Sequence, residues 1–339
     1  MQFAPKFLVD RFEKAAFGLL GVAVVATYVA AFSGIEFAVA ARSGPEDFAA
    51  RALTLIKAPA GIPALTGPAV QDLVGLARVV TDPVLVPDSS ALIETFSAVG
   101  YSLAAVQDGA VQVPRLYLTS LPHDLSDITS VSARKVLYIK LILPLVLRAN
   151  EQILEDRARA EGHIARLFEG KRLRPADAAW LTDMTQRYRV AADDFDGLLL
   201  RLDAVPPSLA VAQSIEESGW GTSRFALQGN AVFGQWTFTD GAGIVPARRD
   251  DGANHEVRSF DHLHQSVKLY LQNLNRHRAY RKFRTARAAM RAAGQPLDGY
   301  ALAETLVRYS ERGEDYIGTL QLLMRSNGLG SLDSAELRN

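Results

Sequence analysis

Residues 205–221 read VPPSLAVAQSIEESGWG, and this stretch predicts the central helix of the fold. Pro207 suits the first position of a helix, because its missing N–H would be unpaired there in any case. Gly219 and Gly221 supply the flexible backbone that ends a helix directly after Ser218. Apolar residues lie on all sides of this segment, so we expect a largely buried helix from Pro207 to about Ser218.

Two carboxylates, Glu216 and Glu217, lie in the last turn of this predicted helix. The helix dipole places partial negative charge at that end, and burial disfavours the ionised form further. Both effects raise the pKa of a carboxyl group, as a general acid that works near neutral pH requires. Helical periodicity does not distinguish the two residues, and two solvated acids at a helix end remain the alternative.

The composition excludes several kinds of site. The chain has 339 residues, 48% of them hydrophobic, and its basic and acidic residues balance to a formal net charge of zero. This balance gives no indication of nucleic-acid binding. There is no cysteine, so disulfides, thiolate nucleophiles and thiolate metal sites are excluded. His262 and His264 are two residues apart, which a helix places on different faces, and we predict neither a metal site nor a cofactor.

Residues 15–35 form an apolar segment without a charged residue, close to the ~20 residues that cross a bilayer. An excess of Lys and Arg precedes it, which predicts a cytoplasmic N-terminus and an exported body. We therefore interpret 15–35 as a transmembrane signal anchor in the inner membrane, with the catalytic part of the chain in the periplasm. A signal peptide cleaved after the Ala-Val-Ala of residues 38–40 is the alternative.

The remaining pattern predicts an α+β fold that is mostly helical, with a small β-lobe between about 232 and 260. Residues 113–118 (VPRLYL) are β-rich and short, so they indicate a strand or an extended segment. The predicted organisation is a cytoplasmic N-terminus (1–14), the anchor (15–35), a spacer (36–90), a helical upstream region (91–205), a domain that holds the two glutamates (206–328) and a polar tail (329–339).

The run AVAQSIEESGWGTSRFALQGNAVFGQW at 210–236 resembles the catalytic core of glycoside hydrolase family 73, the peptidoglycan N-acetylglucosaminidases, and most of all its Bax-type branch. The similarity continues with VRSFDHLHQSVKLYLQNLNRHRAYRKFR at 257–284 and LVRYSERG-x-x-Y at 306–316. It covers roughly 205–328, and VPRLYLTSLP at 113–122 is similar to the upstream region of the Bax type. The resemblance implies a lysozyme-like catalytic domain.

Within this resemblance the essential acid is Glu217, which directly precedes the Ser-Gly-Trp-Gly element, and Glu216 is a neighbour. Trp220 is expected in the core, where it packs the end of the acid-bearing helix. Amides and aromatic faces suit the binding of N-acetylated sugars. The residues expected to line the sugar cleft are Asn230, Phe233, Gln235 and Trp236.

A second group is needed to assist water or to stabilise positive charge in the transition state. The resemblance implies an acid in the β-lobe, which we assign to Glu256, and a tyrosine in a later helix, which Tyr309 matches. An ordinary strand-edge acid paired with Arg258 is an equally good interpretation of Glu256. Its rivals as second acid are Asp250, Asp251 and Glu311.

The expected function is hydrolysis of β-1,4 bonds in peptidoglycan glycan strands by an endo-N-acetylglucosaminidase, with Glu217 as general acid. Two alternatives remain: a lytic transglycosylase, and a non-catalytic module that binds the cell wall or acts as a scaffold. The expected partners are peptidoglycan and, through 15–35, the inner membrane. A run of basic residues at 276–291 is most simply a solvated helix face, although it could also meet an anionic envelope surface.

Overall fold

The computed structural model describes residues 88–247, 249 and 254–339, and this part of the chain is mostly helical. Four 3₁₀ helices accompany the α-helices, at Leu125–Asp127, Arg278–Tyr280, Glu304–Leu306 and Leu329–Ser334. The α-helices are α1 (Ser89–Ala98), α2 (Leu103–Gln107), α3 (Val131–Phe168), α4 (Pro175–Arg187), α5 (Phe195–Arg201), α6 (Pro207–Ser218), α7 (Arg224–Gly229), α8 (Leu263–Arg276), α9 (Arg281–Ala292), α10 (Gly299–Ala303) and α11 (Glu314–Ser326).

One antiparallel sheet of three short strands forms the β-lobe: β1 (Trp236–Thr237), β2 (Gly243–Ile244) and β3 (Glu256–Arg258). β3 lies in the centre, in the order β1-β3-β2. Trp236 is opposite Val257 in one pair, and Gly243 is opposite Arg258 in the other. The predicted β insertion is thereby confirmed, and the described part of the chain has a lysozyme-like α+β architecture.

The α6 helix occupies the centre of the core and has the predicted bounds. Its residues from Pro207 to Ile215 are buried, and it packs against α3, α10 and α11. Gly219 ends the helix in the left-handed conformation, with φ of 59°. The local signals of proline at the start and glycine at the end were therefore sufficient to place this element.

The long helix α3 supports α6 from one side. It continues through Pro144 and contributes a run of buried apolar residues between Leu137 and Leu147. The Tyr138 hydroxyl donates to the backbone oxygen of Ser214 (3.1 Å) and lies 2.8 Å from the Ser218 hydroxyl. The upstream region and the domain that holds Glu217 therefore share one hydrophobic core.

The segment 113–118 is extended rather than a regular strand. Only Val113 pairs, in an isolated parallel bridge with Leu337, and Pro114 next to it has no N–H to continue a ladder. The Val113 amide donates to the Glu336 oxygen at 2.8 Å, and the Arg338 amide donates to the Val113 oxygen at 2.8 Å. The C-terminal end of the chain is thus tied to the upstream region.

Residues 329–339, which the sequence indicated as a polar tail, are part of the packed fold. Leu329 and Leu332 are fully buried and Leu337 is nearly so. Asp333 accepts hydrogen bonds from the Ser208 amide, the Ser208 hydroxyl and the Gly299 amide, each at 2.8 Å. The Asp333 carboxylate therefore satisfies an amide in the first turn of α6, where no neighbouring side chain caps the helix.

The basic run at 276–291 is not uniformly solvated, which corrects the expectation for two of its members. Arg284 and Arg287 are buried and donate to backbone oxygens. Arg287 also approaches the Asp203 carboxylate at 3.6 Å, and Arg291 pairs with the same carboxylate at 3.0 Å. These arginines fasten α9 to the chain segment before α6.

Within 88–247, 249 and 254–339, no helix combines the length and the apolar character that a membrane crossing requires. The predicted anchor at 15–35 and the alternative cleavage site at 38–40 lie outside the described residues. The two rival acids Asp250 and Asp251 lie outside them as well.

Candidate active site

Glu217 lies in the last turn of α6, half-buried beside the aromatic side chains of later helices. Its Oε1 accepts a hydrogen bond of 2.8 Å from the Tyr316 hydroxyl. Burial raises the pKa of Glu217 to about 7, the Tyr316 hydrogen bond lowers it in part, and the charge of Glu216 raises it. The carboxyl group therefore keeps a proton near neutral pH, as the sequence led us to expect.

Glu216 has a different environment from Glu217. Its Oε1 accepts from the Arg312 guanidinium at 2.6 Å, and Arg312 donates in addition to the Thr319 hydroxyl at 2.7 Å. The Glu216 carboxylate is thus engaged in a charge-assisted hydrogen bond. The contacts thus distinguish the two glutamates, because Glu216 binds Arg312 whereas Glu217 binds Tyr316.

A chain of three buried polar side chains orients Glu217. The Tyr270 hydroxyl donates to Oε1 of Gln213, Nε2 of Gln213 donates to the Tyr316 hydroxyl (2.9 Å), and Tyr316 donates to Glu217. Because an amide nitrogen only donates, the Tyr316 oxygen accepts from Gln213 and its own proton is left for Glu217. We call Tyr270, Gln213 and Tyr316 the polar chain.

None of the three residues in the polar chain was singled out from the sequence. Two signals were present. Gln213 precedes Glu217 by four residues, which places both side chains on the same side of a helix, and Tyr316 is the last residue of the motif at 306–316. A buried glutamine needs partners for its amide, but the sequence does not reveal that Tyr270 and Tyr316 supply them.

Tyr309 lies next to the polar chain. Its ring stacks on that of Tyr316, with centroids 5.5 Å apart, and lies 5.9 Å from the ring of Tyr280. Burial, followed by the charge of Glu217, raises the pKa of Tyr309 well above its usual value. The structure thus brings Tyr309 and Glu217 together. The hydroxyl of Tyr309 makes no hydrogen bond to another residue of the described part.

Glu256 is buried in β3, with both carboxylate oxygens in contact with backbone amides. Oε1 accepts from the Gly241 amide (3.2 Å) and Oε2 from the Gly243 amide (2.8 Å). The expected pair with Arg258 is not formed, and the Arg258 guanidinium lies 5.7 Å from the Phe260 ring instead. These contacts hold the turn before β2, and the catalytic role of Glu256 stays a prediction.

Asn230 and Gln235, the two amide residues expected in the cleft, donate hydrogen bonds to the backbone of neighbouring segments. Nδ2 of Asn230 donates to the backbone oxygens of Phe260 (3.0 Å) and Asp261 (3.3 Å). Nε2 of Gln235 donates to the Ser266 oxygen at 3.4 Å. The side-chain oxygens of Asn230 and Gln235 are buried and have no hydrogen-bond partner among the described residues.

The two aromatic residues expected in the cleft each stack on a neighbour. Phe233 is buried and lies parallel to Tyr270, with ring centroids 3.8 Å apart. Trp236 stacks on His255 with centroids 4.3 Å apart and keeps part of its surface exposed. Phe233 therefore supports the polar chain from the side of the loop, while Trp236 belongs to the β-lobe.

Gly234 brings the loop after α7 close to the acid. Its φ is 58°, and a Cβ at this position would lie 3.9 Å from Oε2 of Glu217. Because glycine has no side chain, the space beside Oε2 stays open. The second oxygen of Glu217, which Tyr316 does not engage, thus faces this open space.

Trp220 confirms the expectation that it belongs to the core. It is buried and packs edge-on against Tyr138, with ring centroids 6.2 Å apart. The ammonium group of Lys135 lies over the Trp220 ring, with Nζ 4.9 Å from the ring centroid. The residue locks the end of α6 against α3 and so fixes the backbone next to Glu217.

Within the described ranges, no three side chains of the metal-binding types lie together. Glu217 is thus a carboxyl group with a raised pKa that lies beside Tyr316 and the loop at Gly234. A carboxyl group of this kind has the chemistry of a general acid, which can protonate a leaving oxygen.

Comparisons with known proteins agree with this arrangement. The family model Glucosaminidase, described as mannosyl-glycoprotein endo-beta-N-acetylglucosaminidase, matches residues 198–328. Protein bax of Escherichia coli (strain K12) is 31% identical over 215 residues, which is 62% of this chain and 75% of that protein. No solved structure matches the chain. The chain therefore belongs to glycoside hydrolase family 73, in its Bax-type branch, and carries a glycosidase domain of the kind that acts on peptidoglycan.

Proposed function

We propose that the protein hydrolyses the β-1,4 bond after N-acetylglucosamine in peptidoglycan glycan strands, as an endo-acting enzyme with Glu217 as general acid. The observation that carries this proposal is the position of Glu217 at the end of α6, where the Tyr316 hydroxyl binds Oε1 and burial raises the pKa of the carboxyl group to about 7. A carboxyl group with this pKa still holds its proton near neutral pH and can deliver it to the leaving glycosidic oxygen.

The polar chain supports this role by fixing one oxygen of the acid. Tyr316 engages Oε1, while Oε2 lies beside the open space at Gly234, so the transferable proton belongs on Oε2. As the glycosidic bond breaks, Glu217 becomes a carboxylate. The hydrogen bond from Tyr316 then strengthens, because its acceptor has become charged.

Two further groups complete the proposed mechanism. Tyr309 lies beside Glu217 with its hydroxyl uncommitted within the described part, which suits a residue that positions substrate or stabilises positive charge on the sugar. Glu256, or an equivalent acid, would activate water or steady that charge. Asn230, Phe233, Gln235 and Trp236 would line the cleft for the N-acetylated sugars. No metal or organic cofactor enters this mechanism.

Product analysis on the full chain tests the proposal. Digested glycan strands should show a reducing-end N-acetylglucosamine by mass spectrometry. Glu217→Gln should reduce this activity by about 10²–10⁴-fold, whereas the matched neighbour Glu216→Gln should keep most of it. Products ending in 1,6-anhydro-muramoyl groups would instead assign a lytic transglycosylase, and sacculus binding without cleavage by the wild type would assign a wall-binding module.

We also propose that residues 15–35 anchor the protein in the inner membrane, with the catalytic domain in the periplasm. The support is the apolar segment with its preceding Lys and Arg excess. Alkaline phosphatase fused after residue 339 should be active, and the mature protein should retain residues 15–35 in the membrane fraction. A soluble periplasmic protein that starts after residue 40 would show that a signal peptide is cleaved instead.

A further inference from the structure

A surface cavity of about 470 Å³ is lined by basic side chains that the proposed mechanism does not use. It lies where the C-terminal ends of α4, α5 and α8 meet. No acidic residue belongs to its lining, which consists of Arg189, Arg201, Arg276, His277 and Arg278. We call it the arginine cavity.

The arginine cavity is held together by one of its own members. Nη1 of Arg201 donates to the backbone oxygens of Tyr188 and Arg276, each at 2.9 Å, and so ties the three helix ends to one another. Arg189 adopts φ of 57°, a conformation that costs energy in a residue with a Cβ. Arg189 directly follows the end of α4, where the Arg189 amide donates to the Gln186 oxygen and the Val190 amide to the Thr185 oxygen, each at 3.0 Å, so this conformation is the left-handed turn that commonly ends a helix.

The charges in the arginine cavity are poorly compensated. The guanidinium groups of Arg189, Arg276 and Arg278 form neither an ion pair nor a hydrogen bond with any other residue of the described part. Each of the three helix ends contributes roughly −0.5 of a charge, about −1.5 in total against four guanidinium groups. Burial and neighbouring arginines lower the pKa of Arg276 and His277, so a bound anion would relieve this repulsion.

The cavity also offers a neutral donor. Nδ1 of His277 accepts from the Ala279 amide at 3.3 Å, which places the proton of the neutral imidazole on Nε2. Planar guanidinium groups pair with carboxylates through two parallel hydrogen bonds. The set of donors therefore suits a ligand with one or more carboxylates.

A row of aromatic rings connects the arginine cavity with the acid. The His277 ring lies 5.7 Å from Tyr280, Tyr280 lies 5.9 Å from Tyr309, and Tyr309 lies 5.5 Å from Tyr316, which binds Glu217. An extended peptide of four or five residues spans about 13–18 Å. In straight-line distance, the His277 ring therefore lies within the span of such a peptide from the Tyr316 ring.

We propose that the arginine cavity binds the free carboxylates of the stem peptides that peptidoglycan strands carry. The inference rests on the function proposed above and adds to it a preference for strands that still bear their peptides. In this arrangement the glycan is held by the cleft at Glu217, and the guanidinium groups bind the peptide branch.

The test compares two double variants of the full chain. Arg189→Gln/Arg278→Gln removes two charges from the cavity, and Arg281→Gln/Lys282→Gln removes two from the adjacent start of α9; all four residues are exposed. On strands with stem peptides, the first variant should raise KM about tenfold. On strands stripped of peptides by an amidase it should change little, and the second variant should change little on either substrate.

An equal loss on both substrates, or the same loss in the second variant, would overturn the proposal. Binding is measured separately by calorimetry, with the full chain carrying Glu217→Gln and a free stem peptide as the probe. Amidation of the peptide carboxylates should abolish binding, and undiminished binding would contradict the proposal. Arginine-dependent binding of inorganic phosphate or anionic phospholipid vesicles in place of the peptide would also overturn it. If the wild type cleaves no strand, the proposed function fails, and the peptide measurement still decides the ligand of the cavity.

Discussion

At the scale of single residues, the raised pKa of Glu217 links its proposed role as general acid to the stability of the fold. The pKa of this group is about 7 in the folded protein, against an ordinary value of 4.5. Since the folded-state pKa is the higher one, the stabilising contribution is fully present below about pH 4.5 and is lost as the pH rises through about 7. The free energy of unfolding of the wild type is therefore lowered at alkaline pH, where Glu217 must lose its proton in the folded protein.

Glu217→Gln should remove this loss of stability at alkaline pH while strongly reducing the proposed activity. The free energy of unfolding of the variant should match that of the wild type at pH 4 and exceed it by about 1–2 kcal/mol at pH 8. The full shift corresponds to about 3 kcal/mol, and partial exposure of the side chain reduces it. Urea denaturation at both pH values measures the difference.

The neighbouring glutamate provides the control for this measurement. Glu216→Gln weakens the pair with Arg312 and should lower the free energy of unfolding at pH 8. A Glu217→Gln variant that gained nothing between pH 4 and pH 8 would show that Glu217 is ordinarily ionised in the folded protein.

Tyr316→Phe should change the pH dependence of the enzyme. The hydroxyl of Tyr316 stabilises the ionised form of Glu217 and lowers its pKa, so its removal raises that pKa further. The limb on which kcat/KM falls with rising pH should move to higher pH, and kcat should drop about tenfold because Oε1 is no longer oriented. A pH–rate profile of kcat/KM provides the measurement.

Tyr309→Phe is the matched control for Tyr316→Phe, because the two rings stack but only Tyr316 donates to Glu217. In the pH–rate profile of Tyr309→Phe, the alkaline limb of kcat/KM should stay near that of the wild type, even if kcat/KM itself is lower. An identical shift in both variants would mean that the polar chain does not set the pKa of the acid.

The residue scale also shows what sequence reasoning reached at the site. Glu217 could be proposed as the acid because its signals are local: a helix end, a glycine stop and a motif in adjacent positions. The partners of Gln213 lie 57 and 103 residues away in the sequence. Contacts across such separations depend on how helices pack, which no local pattern encodes.

At the scale of elements, α6 was predictable and the β-lobe only in outline. Pro207 and Gly219 act on the backbone next to them, so the bounds of α6 follow from the sequence. The position of Glu256 in a short extended segment was also predictable. Its contacts with Gly241 and Gly243 were not, because they depend on the geometry of a turn between two strands.

Gly221→Ala should disrupt the junction between α6 and α3. Gly221 has φ of 74°, and a Cβ there would lie 2.5 Å from Cε2 of Tyr138 and 2.7 Å from its Cδ2. Backbone strain and the steric clash together should lower the free energy of unfolding by about 3 kcal/mol or more. The rate of glycan hydrolysis should fall as well, because this junction fixes the backbone directly after Glu217.

Gly241→Ala separates the two contributions to that loss. Gly241 also has φ of 74°, but no atom lies within 4 Å of a Cβ placed there. It should therefore cost only the backbone term, about 1–2 kcal/mol. Equal losses in thermal or urea denaturation of the two variants would show that the contact with Tyr138 contributes nothing.

At the scale of the whole molecule, the predicted division at residue 205 does not coincide with a gap in the core. Buried residues of α3 and α6 belong to one cluster, and the Tyr138 hydroxyl bonds to the backbone of α6. The sequence could mark where the similarity to the family begins, because motifs are local. It could not show that the upstream helices complete the core of the catalytic domain.

The C-terminal residues close the same unit from the other side. Asp333 binds the amides of Ser208 and Gly299, and Leu337 pairs with Val113. Polar composition suggested a tail at 329–339, but buried leucines spaced among polar residues mark a packed segment. Their burial against α2 and α6 makes the last residues of the chain part of the support for Glu217.

Fragments of the chain test this continuity. Residues 88–339 should unfold in one cooperative transition that is the same by circular dichroism and by tryptophan fluorescence. Residues 206–328 alone should show no such transition, because α6 would lose α3 on one side and Asp333 on its first turn. The intermediate fragment 88–328 should fold with a free energy of unfolding lower by about 4 kcal/mol or more, since three buried leucines and a helix-capping carboxylate are missing. If 206–328 unfolded at the same temperature as 88–339, the upstream helices would be a separate domain, and the rigidity of Glu217 would have to arise within the family-matched range alone.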